Sequence, residues 1–482
     1  MTTPPTARQG PAEAGAGSWR QLFGGGRGLY VVMLNLGIGL HAVDVFVVST
    51  IMPDVVRDLG GAHFYAWSTM LYMVASIVGA AATAPLRRAR GGRQAYCIGA
   101  ILFLAGSIGC ALAPNMALFI LARAVQGFGG GIVLSRSMAM VGELFPEAMK
   151  KPILALISST WGVAALIGPA LGGSFAAVDF WRGAFWFNLP FVLIFLGAAL
   201  RRLPADKPER PATFGFPYRR MGLLTAGVLC IGIASEGGSA LARAGLILLA
   251  LLLVYGTFIL DRAGENRLFP SRPLSPMTTT GSAYWAMFLA SMTHTVIGVF
   301  LPLALQELKG ETPIAAGYMM AALAIGWTSA SVFTARWQGG AVNAAMIGGM
   351  LLCVIGLAGL AIGVTSQPAW VLTLLNTLVG IGLGSSNLHI VAAAMRHATP
   401  GEESITASSI PTMRSLGIAF GAAAAGAVAN AMGLTDDLRA ADVAHAVTWV
   451  LGLGVLAPLC GFFFVLRFVS LLRRNTGAGI PD

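Results

Sequence analysis

The chain has 482 residues, of which 56% are hydrophobic and only 11% charged, and 31 Lys and Arg against 20 Asp and Glu give it a formal charge of +11. Soluble chains carry about 25% charged residues, so a cytosolic enzyme with a charged shell, a secreted disulfide scaffold and a disordered regulator are excluded. What remains is an all-α polytopic membrane protein, with room for about 12 to 14 spans of roughly 20 residues each and no sizeable soluble domain.

In chain order, residues 1–28 are rich in Pro, Ala and Gly, lack the apolar core of a secretory signal, and read as a cytoplasmic tail. Apolar runs punctuated by Gly, Pro and charge then predict spans over 29–51, 64–85, 94–113, 117–140, 153–177 and 185–203. A Pro- and Arg-rich linker at 204–220 follows. Two spans at 221–238 and 243–260 precede a second linker at 261–280. Six more run over 281–305, 314–335, 341–364, 369–395, 408–432 and 446–472, with a tail from 473 to 482.

Fourteen spans put both termini on one side of the membrane. With the termini in the cytoplasm, the inside segments hold 23 of the 31 Lys and Arg and the outside loops hold five, while Arg123, Arg136 and Arg414 fall within spans. That bias sets the expected orientation in a cell (inner) membrane. It also accounts for the positive charge better than nucleic acid would, because no dense basic run has aromatics interleaved for stacking. Cys97, Cys110, Cys230, Cys353 and Cys460 lie in apolar stretches without CxxC spacing, so they read as small hydrophobes, and neither a metal nor another cofactor is expected.

An internal echo joins the halves: Val125-Gln126-Gly127-Phe128-Gly129 resembles Val379-Gly380-Ile381-Gly382, each followed by a Pro and a later Gly at similar spacing. The fifth span carries Trp161-Gly162-Val163-Ala164-Ala165-Leu166-Ile167-Gly168-Pro169-Ala170-Leu171-Gly172-Gly173. There Pro169 removes a helical hydrogen bond, and Gly162, Gly168, Gly172 and Gly173 admit a neighbouring helix, which reads as a kinked and tightly packed hinge.

This string resembles the antiporter motif of the major facilitator superfamily, and three further stretches resemble its 14-span drug:proton antiporter branch. They are Asp44 to Pro53, with its Asp ahead of a Pro, Leu121-Ala122-Arg123-Ala124-Val125-Gln126-Gly127, and Trp181-Arg182-Gly183-Ala184-Phe185-Trp186-Phe187-Asn188-Leu189-Pro190. The resemblance implies two six-helix bundles, 29–203 and 281–472, with two inserted helices at 221–260. The activity it implies is alternating-access export of lipophilic small molecules, cationic ones among them, in exchange for protons. One departure stands out. The loop after the second span normally carries an Asp in the pattern G-x-x-x-D-R-x-G-R-R, and here that position is Arg88.

Charges inside spans cost about 2.5–3.5 kcal/mol each at the bilayer centre unless paired or wet, so each is a site candidate. Asp44 and Arg123 sit at equal depth, about 10 Å below the outer ends of their spans, which permits pairing. His41 shares the helix face of Asp44 and is a candidate proton relay, so Asp44, Arg123 and His41 form the expected proton-coupling group. Trp161, Phe300 and Trp327 lie near mid-span as candidate walls of an apolar cavity. Glu236 and Arg414 are secondary charged candidates, the first expected near the interface and the second expected to snorkel or to meet a lipid phosphate. His294 reads as structural.

A dedicated exporter of one endogenous metabolite or lipid shares this mechanism. A polytopic enzyme does not fit as well, because the six His are scattered and no HExxH, GxSxG or GxxxxGK[ST] occurs. The charge bias yields a direct test. Cysteines placed between Arg201 and Arg220 are expected to resist an impermeant thiol reagent in intact cells and to react once the membrane is opened, and labelling from outside would overturn the orientation.

Overall fold

In a computed structural model of the chain, residues 28–203, 217–234, 239–264 and 267–477 are described. Glu236, most of the 204–220 linker and the N-terminal tail lie outside the described residues. All regular structure among the described residues is helical: α1 (Gly28–Leu59), α2 (Trp67–Arg90), α3 (Gly92–Ala111), α4 (Met116–Leu144), α5 (Glu147–Ala176) and α6 (Gly183–Arg202) form a first half. The inserted pair is α7 (Tyr218–Ala234) and α8 (Ala240–Ala263). The second half comprises α9 (Thr279–Glu307), α10 (Pro313–Thr334), α11 (Gly340–Gly363), α12 (Ala369–Arg396), α13 (Glu403–Ala431) and α14 (Ala440–Arg474).

Twelve of these helices are long and apolar enough to cross a membrane. The expectation of fourteen crossings is therefore met only in part, since α5 and α7 are not among the twelve. For α7 the physical reason is length: its 17 described residues cover about 26 Å at 1.5 Å per residue, short of a hydrocarbon core of about 30 Å.

The two halves repeat one packing plan. In the first, α4 lies against both α2 and α3, α1 against α5, and α3 against α6; in the second, α12 lies against α10 and α11, α9 against α13, and α11 against α14. Glycine makes the tightest of these contacts. A methyl at Gly127 or Gly131 of α4 would run into the backbone carbonyls of Tyr72 or Ser76 on α2. The same holds for Gly380 and Gly384 of α12 against the carbonyls of Leu323 and Trp327 on α10. Gly127 and Gly380 are glycines of the sequence echo, Gly131 and Gly384 lie one turn beyond them, and together they let two helix backbones touch without side chains between them.

The halves join through two equivalent seams, α2 with α13 and α5 with α10. At the end where α1 and α9 finish, the join is bonded: Arg57 pairs with Glu307, Gln306 donates to the Thr50 carbonyl at 3.1 Å, and Asn430 donates to the His63 carbonyl at 2.8 Å. The opposite end carries none of these ties. There the first half has its own charge cluster, in which Glu143 accepts from Arg136 at 2.8 Å and pairs with Arg87 at 3.2 Å. The acid missing at Arg88 is thus supplied from α4 rather than from the loop.

α7 packs on α8 and also against α2 and α13, so the inserted pair covers one of the seams. The connection from α8 to α9 is pinned from two sides. Asp261 accepts from the backbone N–H groups of Leu268 and Phe269 at 2.9 Å and from Arg220 at 2.7 Å. Glu402 accepts from the Ser271 N–H at 3.1 Å and from Arg267 at 2.7 Å. Burial alone would raise the Glu402 pKa, but the bonds from Ser271 and Arg267 together outweigh it, leaving the carboxyl below the ordinary glutamate range. A depressed pKa stabilises the fold above the ordinary glutamate pKa, and the contribution disappears as pH falls through the lowered value. Glu402→Gln is therefore expected to lower the unfolding temperature of the solubilised protein at pH 7, with the gap to wild type closing under acid. A gap that persists in acid would show that the carboxylate charge is not what holds this connection.

Candidate functional site

A closed polar network is buried in the first half where α1, α3, α4 and α6 converge. Asp44 is 1% exposed and Arg123 is 2% exposed, so neither charge has water to solvate it. Arg123 donates to Asp44 Oδ2 and to Gln126 Oε1, both at 2.5 Å. Gln126 in turn donates to Asp44 Oδ1 at 2.8 Å and to Ser107 Oγ at 2.9 Å. Asn188 reaches the same carboxylate oxygen at 3.4 Å. Removing one partner of such a pair strands the other charge and costs about 3–5 kcal/mol.

Arg123 also stacks over the Tyr72 ring, 4.1 Å from its centroid. The Tyr72 hydroxyl is hydrogen-bonded to His41 Nδ1 at 2.8 Å, and Trp161 meets the His41 ring edge-on at 6.1 Å. Asp44, Arg123, Tyr72 and His41 thus form one continuous string of contacts, with the phenol as the link between the ion pair and the imidazole. Only the last link is a hydrogen bond, because Arg123 meets the face of the ring and not its hydroxyl.

On the other face of α1 lies a cavity between the halves, enclosing about 830 Å³ including its mouth. Phe46, Ser49 and Met52 of α1 and Tyr65 and Met73 near α2 face His294, Val299, Met320 and Leu323 of the second half across it. The wall is mostly apolar, with Ser49, Thr69, Tyr65, Thr295 and His294 as its polar points. Asp44 is not on it; its neighbours Val45 and Phe46 are.

Several residues singled out from the sequence are placed differently. Phe300 is fully buried against Tyr65, 5.5 Å between ring centroids, and belongs to the core rather than to a cavity wall. His294 is on the cavity wall instead of being purely structural, with Trp327 edge-on to it at 6.1 Å. Arg414 does not snorkel from a helix end. It lies well inside α13, over the Trp327 ring at 5.7 Å.

The glycine-proline string divides into unlike parts. A methyl at Gly168 would come 2.5 Å from Phe46 Cβ, and one at Gly172 would come 2.9 Å from the Val47 carbonyl, so both seat α5 on α1. Gly173 and Pro169 instead face Ile314 and Gly317 of α10 across the seam. Gly162 has nothing within 4 Å of its missing Cβ and is not a packing glycine, contrary to the reading from spacing.

Gln126 and Asn188 stood inside recognisable motifs but were not singled out as site residues, although a buried amide two or three positions from a motif Arg or Pro is a usable signal. Tyr72 and Ser107 had no local signal at all, because only the contact of α2 and α3 with α4 brings them in. Among the described residues no cluster of His, Cys, Asp and Glu is arranged to hold a metal ion.

Comparison with known proteins agrees with this architecture. A family model described as Major Facilitator Superfamily matches residues 34–422. The chain belongs to the major facilitator superfamily. It is a membrane transporter of the superfamily's drug-transporter branch, not an enzyme. It is 32% identical, over 92% of its length and 96% of the relative's, to a protein of Mycobacterium tuberculosis named "Probable multidrug-efflux transporter". It is 28% identical to a multidrug transporter of Bacillus subtilis, over 86% of this chain and 77% of the relative's. Its fold is similar to that of a D-xylose-proton symporter, with a TM-score of 0.64 at 16% identity over 90% of this chain and 97% of that one. A bacterial homologue of the lysosomal transporter Spinster, in an inward-facing conformation, gives a TM-score of 0.63 at 13% identity over 92% of this chain and 97% of that one.

The unequal glycines generate a paired test in this transporter. Gly168→Val is expected to insert at normal abundance but to lose most transport, since the added carbons must displace Phe46 and spread α5 from α1. Gly162→Val is expected to stay within about twofold of wild type, as a change at an open surface position. Transport into inverted vesicles at matched abundance checks both, and equal behaviour of the two variants would refute the close-packing role of Gly168.

Proposed function

We propose that this transporter exports lipophilic compounds in exchange for protons by alternating access, across fourteen spans with both termini in the cytoplasm of a multi-pass cell-membrane protein. In this orientation the bonded end of the cavity faces outside. The observation that carries the reading is the position of the Asp44–Arg123 pair immediately behind the wall of the inter-half cavity, on the same helix that lines it. Movement of α1 when a substrate occupies the cavity then acts directly on a carboxylate that is bonded to one guanidinium. The relatives named as multidrug transporters support the substrate class, as does a wall with few fixed hydrogen-bonding groups, which selects for apolar bulk rather than for one pattern of hydroxyls.

Proton transfer is assigned to Asp44, with His41, one turn earlier on α1, as a second ionisable group beside it. One proton carried inward adds about 2.3 kcal/mol per 100 mV of membrane potential to the export of a neutral compound. Asp44→Asn removes the titrating oxygen and keeps the shape, so binding is expected to persist while accumulation against an imposed pH gradient ceases. Arg123→Ala is expected to be nearly as damaging, because the buried carboxylate is left without its counter-charge. Proton release on substrate addition, and uptake into inverted proteoliposomes under a pH gradient, measure both effects. Retained proton coupling in Asp44→Asn would place the coupling site on another helix.

A further inference from the structure

The second half holds a charge near the cavity, one helical turn from the lining residue Ile418, that the proposed proton coupling does not use. Arg414 lies about 17 Å along α13 from its start, at 1.5 Å per residue, with a longer stretch of helix beyond it. Ile418, one turn further on, lines the cavity, so Arg414 shares the cavity face of α13. Its side chain is exposed and has no hydrogen-bond or ion-pair partner among the described residues. Its guanidinium lies over the Trp327 ring at 5.7 Å, and that ring in turn meets His294 edge-on at 6.1 Å.

The first half supports this placement. His294 and Arg414 each follow His41 and Trp161 by 253 residues, the same interval that separates Gly380 from Gly127. His41 and Trp161 touch across α1 and α5, so His294 and Arg414 occupy the equivalent places on α9 and α13. Where one half has an indole, the other has a guanidinium. A lone cation at mid-span is costly unless water or an anion meets it, and a planar guanidinium on an aromatic ring is preset to take a carboxylate in the plane while a substrate ring extends the stack. Asp44 is sealed behind the wall by Arg123, so a cationic substrate finds no carboxylate facing the cavity.

We propose that Arg414, with Trp327 and His294, is a subsite for the anionic group of a lipophilic aromatic substrate, so that weak organic acids are among the exported compounds. This deepens the exporter reading and rests on the cavity being its substrate site. The test is a fluorescence titration of the full-length protein in phosphatidylcholine nanodiscs with 1-pyrenebutyrate and with its neutral methyl ester. Arg414→Gln is expected to weaken pyrenebutyrate binding about tenfold or more, the loss of one charge-assisted pair, and to leave ester binding within about twofold. Arg414→Lys, which keeps the charge, is expected to retain a preference for acid over ester.

Equal loss for acid and ester in Arg414→Gln, no loss for either, or no preference in Arg414→Lys would overturn the subsite. Adding phosphatidylglycerol to the nanodiscs separates the remaining source of an anion. If the lipid abolishes the effect of Arg414 on pyrenebutyrate, the guanidinium serves a lipid phosphate and the proposal fails. Failure of the wild-type protein to move the neutral ester under a pH gradient would sink the exporter reading instead, and the binding titration does not depend on that result.

Discussion

Two opposite charges at 2.5 Å with no water around them constrain everything in the first half. Neither can be buried alone at tolerable cost, so α1 and α4 must be held at one depth and one rotation, and Gln126, Ser107 and Asn188 must come from three helices to satisfy the remaining oxygens. The glycine contacts serve this need. Gly127 and Gly131 bring α4 onto α2, which delivers the Tyr72 ring to the Arg123 guanidinium. Gly168 and Gly172 clamp α5 to α1 from the other side. The second half keeps the glycines and omits the charges, with Ile297 and Asn376 standing 253 residues after Asp44 and Arg123. Packing plan and charge network are therefore separable, and only one half carries both.

In the proposed mechanism α1 is the element through which substrate and proton communicate. Phe46 and Ser49 line the cavity while Asp44 and His41 are buried off its wall, within about two turns of each other. A rotation of α1 that fits a substrate more closely necessarily shifts the carboxylate relative to Arg123. No signal has to travel through a chain of intermediates, because one rigid helix borders both sites.

The sequence made the helices, their order and the Asp44–Arg123 pair legible because membrane burial converts each into a local rule: a run of apolar residues, a glycine spacing, a forbidden charge. It did so less well where the third dimension decides. Tyr72 is an ordinary aromatic in its own helix and becomes the link to His41 only through the α2–α4 contact. Phe300 and Trp327 look alike by position, yet one faces Tyr65 in the core and the other meets His294 at the cavity. Gly162 and Gly168 belong to one motif, but six residues carry Gly162 to the side of α5 that no other helix approaches. Arg414 was read by its distance along the apolar run, and its true depth followed from where α13 begins.

The backbone-on-backbone contacts at Gly127, Gly131, Gly380 and Gly384 have a thermodynamic corollary. Helices that meet through α-carbons and carbonyl oxygens have no rotamers at the contact to freeze or release. Folding loses little side-chain entropy there, and so would the proposed passage between outward- and inward-facing states if these rows stay closed while the seams between the halves open and shut. The entropy change of the transport cycle is thereby concentrated in the side chains of the two seams and the cavity, and the temperature dependence of turnover reports on those residues rather than on the interior of either half.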